Sequence, residues 1–165
     1  MRTVLAVLAL TLALAGCAGG LPDLGGDEAV ITHVPVNEQA ALDRINAYRA
    51  SHGVAPLTLS PALNAASQDM ADYIARRDKR KSPLHSRNGL FKRLTEHGIR
   101  HDAAAENLGY GYQSFDAAFA GWQGSAGHDR NLLNPNVTQM GIARSSRPDG
   151  MWRNFWALIM VRPGR

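Results

Sequence analysis

The position and number of the cysteines limit most strongly what this chain can fold into. Cys17 is the only cysteine among 165 residues. A lone thiol cannot form an internal disulfide, and it excludes a metal site made of cysteines. Hydrophobic residues make up 45% of the chain and charged residues 19%, which is typical of a globular protein. A chain of this length can bury about two thirds of its unfolded surface, so packing alone can hold one domain together.

Cys17 also ends an apolar segment that has the anatomy of an export signal. Arg2 precedes an almost wholly apolar run, Val4–Ala15, which is shorter than the roughly 20 residues of a membrane-spanning helix. The sequence Leu14-Ala15-Gly16-Cys17 resembles a bacterial lipobox, in which the thiol is diacylated and cleavage leaves the cysteine at the new N-terminus. We therefore expect residues 1–16 to be a lipoprotein signal peptide. An ordinary cleavage site between small residues is the alternative.

A lipidated Cys17 would anchor the protein in the cell envelope, outside the cytoplasm, because buried acyl chains hold a protein on a membrane. Ala18 follows the cysteine instead of aspartate, which is compatible with the outer membrane or periplasm in a Gram-negative host. Residues 17–36 contain glycine, proline and aspartate without periodicity, and they predict a flexible tether. The folded domain is then expected over residues 37–165.

The domain is predicted to combine helices with a small antiparallel sheet. Apolar residues at helical spacing and N-capping residues predict four helices, over residues 38–52, from Ser60-Pro61 to about 77, over 88–97, and from Ser114 to Trp122. Three strands are predicted over residues 103–112, 140–145 and 151–161, the last two joined by a turn at 147–150. Helices before and between these strands indicate an α+β layered fold.

Four patterns occur in a fixed order along this domain. They are Tyr48–Gly53 with Pro56-Leu57, His85-Ser86 with Gly89 and Arg93, Glu106-Asn107-Leu108, and a segment from Trp122 to Gly141 that includes Ser125-Ala126-Gly127-His128 and Asn134-Pro135. Over residues 38–162 the sequence resembles the bacterial form of the CAP superfamily, also called the SCP or pathogenesis-related-1 domain. This resemblance implies an α-β-α sandwich with a small antiparallel sheet between helical layers and a cleft across one end.

The resemblance also implies where a site would lie. In eukaryotic members of the family, two histidines and two glutamates in the cleft can hold a divalent metal. His85 and Glu106 match one of each, whereas Ser125 and Asn136 stand where the other glutamate and histidine would be. Zinc prefers at least three protein ligands, so a zinc site would need His128, from the bacterial Ser-x-Gly-His pattern, as its third. The sequence therefore disfavours a zinc site, and the candidate ligands for one are His85, Glu106 and His128.

Glu106 lies among apolar residues of a predicted strand, where an unpaired buried carboxylate would cost several kcal/mol. We therefore expect it to have a partner, and His85 is the natural candidate. This pair could act in acid–base chemistry or simply hold two loops together. The residues predicted to line the cleft are His85, Glu106, Asn107, Ser125, His128 and Asn136.

Two classes of function stay open. The first is a binding or interaction module for a lipid, a cell-wall component or a protein, and the second is a metal-assisted hydrolase or peptidase using His85, Glu106 and His128. The first is favoured, because half of the metal set is absent and no nucleophile elbow such as Gly-x-Ser-x-Gly occurs. Catalysis and cofactor use are left open.

A basic run, Arg76-Arg77-Asp78-Lys79-Arg80-Lys81, follows the second predicted helix. Such cations complement the helix dipole and are most often solvated. The alternative is contact with an anionic lipid or an envelope polymer. A nucleic acid partner is not expected for an exported lipoprotein.

Overall fold

A computed structural model describes residues 29–80 and 83–165, in which a five-stranded sheet lies between two layers of helices. The predicted signal peptide and Cys17 lie outside the described residues. The helices are α1 (Glu38–Ser51), α2 (Pro61–Arg77), α3 (Arg87–Glu96), α4 (Phe115–Gln123) and α5 (Ala126–Leu132). The strands are β1 (Thr32–His33), β2 (Thr58–Leu59), β3 (His101–Tyr110), β4 (Gln139–Ser146) and β5 (Asn154–Pro163).

Three long antiparallel strands form the centre of the sheet, in the order β4-β5-β3. The outer edge of β4 is covered at its two ends by different short strands: β2 pairs with it in parallel at Gln139, and β1 pairs antiparallel at Ser146. Among the described strands, β3 pairs with β5 alone, so β3 has a free edge. The site described below is built against this edge.

The two faces of β5 pack under different helices. Trp156, Leu158 and Met160 share an apolar cluster with side chains of α1, α4 and α5. The alternate residues face the other layer, where Phe155 and Ala157 pack with α2, and Ile159 and Val161 pack with α2 and α3. Because both faces are covered, residues 154–161 are all buried. This arrangement is the predicted α-β-α sandwich, and the fold prediction is confirmed.

Serine and asparagine caps begin four of the five helices. The side chains of Asn37, Ser60, Ser86 and Ser114 each accept a hydrogen bond from a backbone N–H in the first turn of α1, α2, α3 and α4. Such a cap is worth about 1 kcal/mol. The Ser86 cap matters most for the site, because it fixes where α3 begins and so where His85 lies. None of the described helices has the length and apolar composition needed to cross a membrane.

The structure differs from the predicted elements in four places. Thr58–Leu59 forms β2, which was not predicted as a strand. Thr32–His33 lies in the predicted tether but forms β1, and the Val34 amide donates to Arg144 O at 2.9 Å. The helix α5 was not predicted. The last predicted strand begins three residues too early, because Arg153 has a φ of 59° and the chain turns before β5.

Gly141 of β4 allows α2 to pack closely on the sheet. A Cβ at Gly141 would lie 2.1 Å from the carbonyl carbon of Leu63 and 2.3 Å from the amide nitrogen of Asn64. Both are backbone atoms, so no rotamer change relieves the clash, and Gly141→Ala should lower the free energy of unfolding by about 2–3 kcal/mol in urea denaturation. Gly127→Ala is the control, because a Cβ there meets nothing within 4 Å. Equal losses in both variants would contradict this account.

Candidate functional site

A charged network of three side chains joins α3 to β3. Nδ1 of His85 lies 2.9 Å from Oε2 of Glu106, and Nη2 of Arg93 donates to Oε1 of the same carboxylate. The side chains of Glu106 and Arg93 are 4% and 6% exposed, whereas that of His85 is 39% exposed. Both carboxylate oxygens are therefore occupied from within the protein, and the histidine presents the network to solvent. The contact expected between His85 and Glu106 is present.

Local sequence explains how these groups meet. Ser86 caps α3 and accepts from the Gly89 amide at 3.2 Å, which places His85 immediately before the helix. A Cβ at Gly89 would lie 2.3 Å from Leu84 O, so the preceding loop can fold against the first turn only because this residue is glycine. Arg93 lies on the buried face of α3, three residues after Leu90. Sequence reasoning missed Arg93 as a partner of Glu106, although its position on that apolar face was a usable signal.

An amide network fixes α5 against the free edge of β3. The Asn107 side-chain amide donates to His128 O at 3.0 Å. Asn131 donates from its own amide to Asn107 Oδ1 at 2.9 Å and to Glu106 O at 3.0 Å. Asn107 is fully buried and lines neither of the cavities beside His85. Its role here is to position His128, and the participation of Asn131 was not predicted.

Two cavities open on either side of His85. The larger, of about 680 Å³, is lined by His85, Glu106 and Asn136 together with apolar residues of α3 and β3. The smaller, of about 390 Å³, is lined by His85, Ser125 and His128 together with Tyr110 and Arg80. Of the six residues predicted for a cleft, five therefore line one or both cavities, and His85 belongs to both.

The smaller cavity holds two titratable groups whose pKa values are shifted. Burial lowers the pKa of His128, and the nearby His85 lowers it further, so the His128 ring is neutral at pH 7. Burial raises the pKa of Tyr110 to about 12, with a further contribution from Glu106. The Tyr110 hydroxyl is buried without a hydrogen-bond partner in the described part of the chain. This cavity therefore offers a polar ligand the His128 imidazole, whose neutral form is favoured, while the Tyr110 hydroxyl stays buried.

The donors around Glu106 do not fit a divalent metal. One carboxylate oxygen is engaged by Arg93 and the other by Nδ1 of His85. Within residues 29–80 and 83–165, no three His, Cys, Asp or Glu side chains are grouped as a metal site. Asn136 and Ser125, at the other two implied ligand positions, line different cavities. The positive charge beside Glu106 is supplied by the guanidinium of Arg93.

The fold and site together define a sandwich domain in which a buried glutamate, paired with a half-exposed histidine, lies between two open cavities at a sheet edge. The chain belongs to the CAP family. Residues 42–160 match the model of that family, described as the cysteine-rich secretory protein family. This chain departs from that description, since Cys17 is its only cysteine.

Two curated relatives come from Bacillus subtilis (strain 168). The uncharacterized protein YkwD is 33% identical over 115 residues, which cover 66% of this chain and 42% of that protein. The uncharacterized membrane protein YlbC is 33% identical over 112 residues, covering 64% of this chain and 31% of the relative. The chain thus spans less than half the length of either relative.

Solved structures share the fold at lower identity. An extracellular protein of Bacillus anthracis that contains an SCP domain has a TM-score of 0.63 at 24% identity, covering 75% of this chain and 39% of that one. An outer surface protein of Borrelia burgdorferi has a TM-score of 0.70 at 14% identity, covering 82% of this chain and 100% of that one. A cysteine-rich secretory protein of Staphylococcus aureus has a TM-score of 0.58 at 20% identity, with coverages of 77% and 40%.

Proposed function

We propose that this chain is an exported envelope protein whose CAP domain binds a ligand in the larger cavity beside His85. The observation that carries the proposal is the cavity itself, because its volume of about 680 Å³ lies in the range of small-molecule sites. The ligand is a lipid, a cell-wall component or a segment of a protein. In each case the His85–Glu106–Arg93 network forms part of the rigid wall against which the ligand packs.

The lining of the cavity narrows the chemistry of the ligand. Leu90, Phe91 and Ala103–Ala105 supply an apolar surface. Two exposed guanidinium groups, those of Arg87 and Arg162, lie on the same cavity and suit an anionic group, although Asp102 also lines it and lies 3.9 Å from Arg162. An amphiphile with an apolar part and a carboxylate or phosphate fits this combination best.

Placement outside the cytoplasm is part of the proposal. Residues 1–16 would direct export, and acylated Cys17 would tether the domain to a membrane. The outer membrane or periplasm is the expected location if the host is Gram-negative. Support comes from the similar structures, of which one is described as an extracellular protein and another as an outer surface protein.

Binding is favoured over metal-assisted hydrolysis by His85, Glu106 and His128. A catalytic zinc ion has about three protein ligands, and no three His, Cys, Asp or Glu side chains are grouped as a metal site within the described residues. The Glu106 carboxylate is 4% exposed and accepts from Arg93 and His85, so a substrate has little access to it. We therefore assign no catalytic step to this site.

The proposal is tested with two fluorescent probes and the purified protein: a dansyl-labelled fatty acid and a dansyl-labelled wall peptide. Phe91→Ala should weaken binding of the preferred probe by about tenfold, because a buried phenyl ring contributes about 1.5–3 kcal/mol. Arg162→Gln should weaken it as well if the anionic group is recognised. Lys92→Ala is the matched control, since Lys92 follows Phe91 on α3 but is exposed and paired with Glu96 at 3.5 Å. Absence of saturable binding by either probe, or equal affinity in Phe91→Ala and wild type, would refute the proposal.

A further inference from the structure

We propose that one end of the sandwich, remote from the α1–β2 end, docks onto an anionic lipid bilayer. Three chain segments meet there: the start of the described chain, the end of α2, and the turn between β4 and β5. We call this surface the basic end, and it consists of Val30, Arg76, Arg77, Lys79, Arg80, Arg147, Met151, Trp152 and Arg153. The proposal is independent of the ligand proposed for the cavity.

Hydrogen bonds hold these segments together as one surface. Asp78, at the end of α2, accepts from the backbone N–H of Met151 at 2.5 Å and of Trp152 at 3.2 Å. From the β4–β5 turn, the Arg147 guanidinium donates to Arg76 O at 2.9 Å. Ile31, beside Val30 in the chain, packs against the same apolar cluster as Trp152. The basic end is therefore a built surface and not a set of independent loops.

The charge of the basic end is strongly one-sided. Six of its side chains are basic, and the carboxylates beside them are Asp78 and Asp149. Asp78 is engaged by two backbone amides, and Asp149 lies 3.2 Å from Arg147. The excess of positive charge at this end equals the formal net charge of the whole chain, +4. Cations near an anionic bilayer are attracted to it, and the attraction grows with their number.

Exposed apolar side chains distinguish this end from a merely solvated helix terminus. Met151 is 79% exposed and Val30 is 70% exposed, and they are the large hydrophobic side chains that stand exposed in the described residues. Both belong to the basic end. The Arg80 guanidinium lies 4.2 Å from the centre of the Trp152 ring. Cations beside tryptophan and exposed aliphatic groups are the combination that binds at a membrane interface.

The position of the N-terminal segment also supports docking through the basic end. The described chain starts at Ala29, beside the basic end, and Cys17 lies only 12 residues earlier. A segment of that length reaches at most about 40 Å. An acyl anchor at Cys17, which belongs to the proposed function, would therefore attach the domain through this end and keep it within about 40 Å of the bilayer. Arg80 also lines the smaller cavity, so docking would bring the mouth of that cavity close to the lipid headgroups.

The test measures how closely Trp152 approaches lipid. The full chain is reconstituted into phosphatidylcholine vesicles that contain brominated lipid, with and without phosphatidylglycerol, and tryptophan quenching is recorded. Trp122 and Trp156 are 1% and 2% exposed, so Trp152 is the tryptophan that bilayer contact can reach. Docking predicts quenching that rises with phosphatidylglycerol and falls at high salt, because salt screens surface charges.

Two variants with equal changes in charge decide the outcome. A basic-end variant replaces Arg76, Arg77, Lys79 and Arg80 with serine, and it should lose at least about half of the quenching that depends on phosphatidylglycerol. A control variant replaces the exposed Arg44, Lys92, Arg100 and Arg130 with serine and should retain it. Met151→Asp should reduce quenching without removing a cation. Quenching that does not depend on phosphatidylglycerol, or that falls equally in both four-site variants, would overturn the proposal. Circular dichroism checks that each variant is folded.

Discussion

Replacing Arg49 with methionine is expected to lower the free energy of unfolding by about 4 kcal/mol, because two buried and two part-buried carbonyl groups lose a charged donor. Arg49 is fully buried in α1. Its Nε donates to Ala55 O at 2.8 Å, and its Nη1 donates to Leu132 O at 2.6 Å and to Asn134 O at 3.1 Å. Nη2 donates to Val137 O at 3.4 Å. One guanidinium thus joins α1 to two separate loops.

The expected loss of stability follows from the cost of leaving carbonyl groups without a hydrogen-bond donor. A buried acceptor left without a donor costs about 1–3 kcal/mol. This cost applies to Leu132 O and Val137 O, whereas the other two acceptors are part-buried and lose less. Removing a buried charge returns part of this, since burial opposes the charged form and lowers the pKa of Arg49. Lysine cannot replace the planar fork of donors, so Arg49→Lys should also destabilise, by about 2 kcal/mol. Urea denaturation measures both.

Arg44→Met is the matched control, because Arg44 lies on the same helix with a side chain that is 64% exposed. Its pair with Asp116, at 3.9 Å, should contribute less than about 1 kcal/mol. Equal stability of Arg49→Met and Arg44→Met would show that the carbonyl groups find water instead. Because Asn134 and Asn136 line the larger cavity, Arg49→Met should also weaken probe binding there.

The long elements were predictable because their periodicity extends over several turns or residues. Helices α1 to α4 and the strands β3 and β4 lie within one or two residues of their predicted limits. The two-residue strands β1 and β2 carry no period of their own and exist only because β4 offers them an edge. The seven-residue α5 contains Gly127 and lacks a side-chain cap, so its sequence gave no helical signal.

The site was predictable to the extent that it rested on family motifs and on the cost of a buried carboxylate. Those two arguments brought His85 and Glu106 together. They did not identify Arg93 or Arg49, because a charged residue within a helix is ordinarily assigned to the solvated face. The spacing of both arginines along their helices would have shown that they are buried. Arg49 lies four residues after Ile45 on the buried face of α1, and Arg93 lies three residues after Leu90 on the buried face of α3.

Arg93→Met is expected to lower the free energy of unfolding by about 3–5 kcal/mol, since breaking a buried ion pair leaves an uncompensated charge. The carboxylate of Glu106 is 4% exposed, and after the substitution only His85 would contact it. Lys92→Met, at the preceding position of α3, removes an exposed ion pair with Glu96 and should lower the free energy of unfolding by less than about 1 kcal/mol. Both values come from urea denaturation at the same pH.

The double variant Arg93→Met/Glu106→Leu separates the value of the pair from the cost of breaking it. Burying two charges costs solvation that their attraction only partly returns, so two apolar groups of similar volume can replace a buried pair with little loss. The double variant should therefore be more stable than either Arg93→Met or Glu106→Leu alone. Additive losses would mean that the two side chains act independently. A favourable coupling would show that Arg93 and Glu106 stabilise the domain as a pair, and that this charge pair is structural.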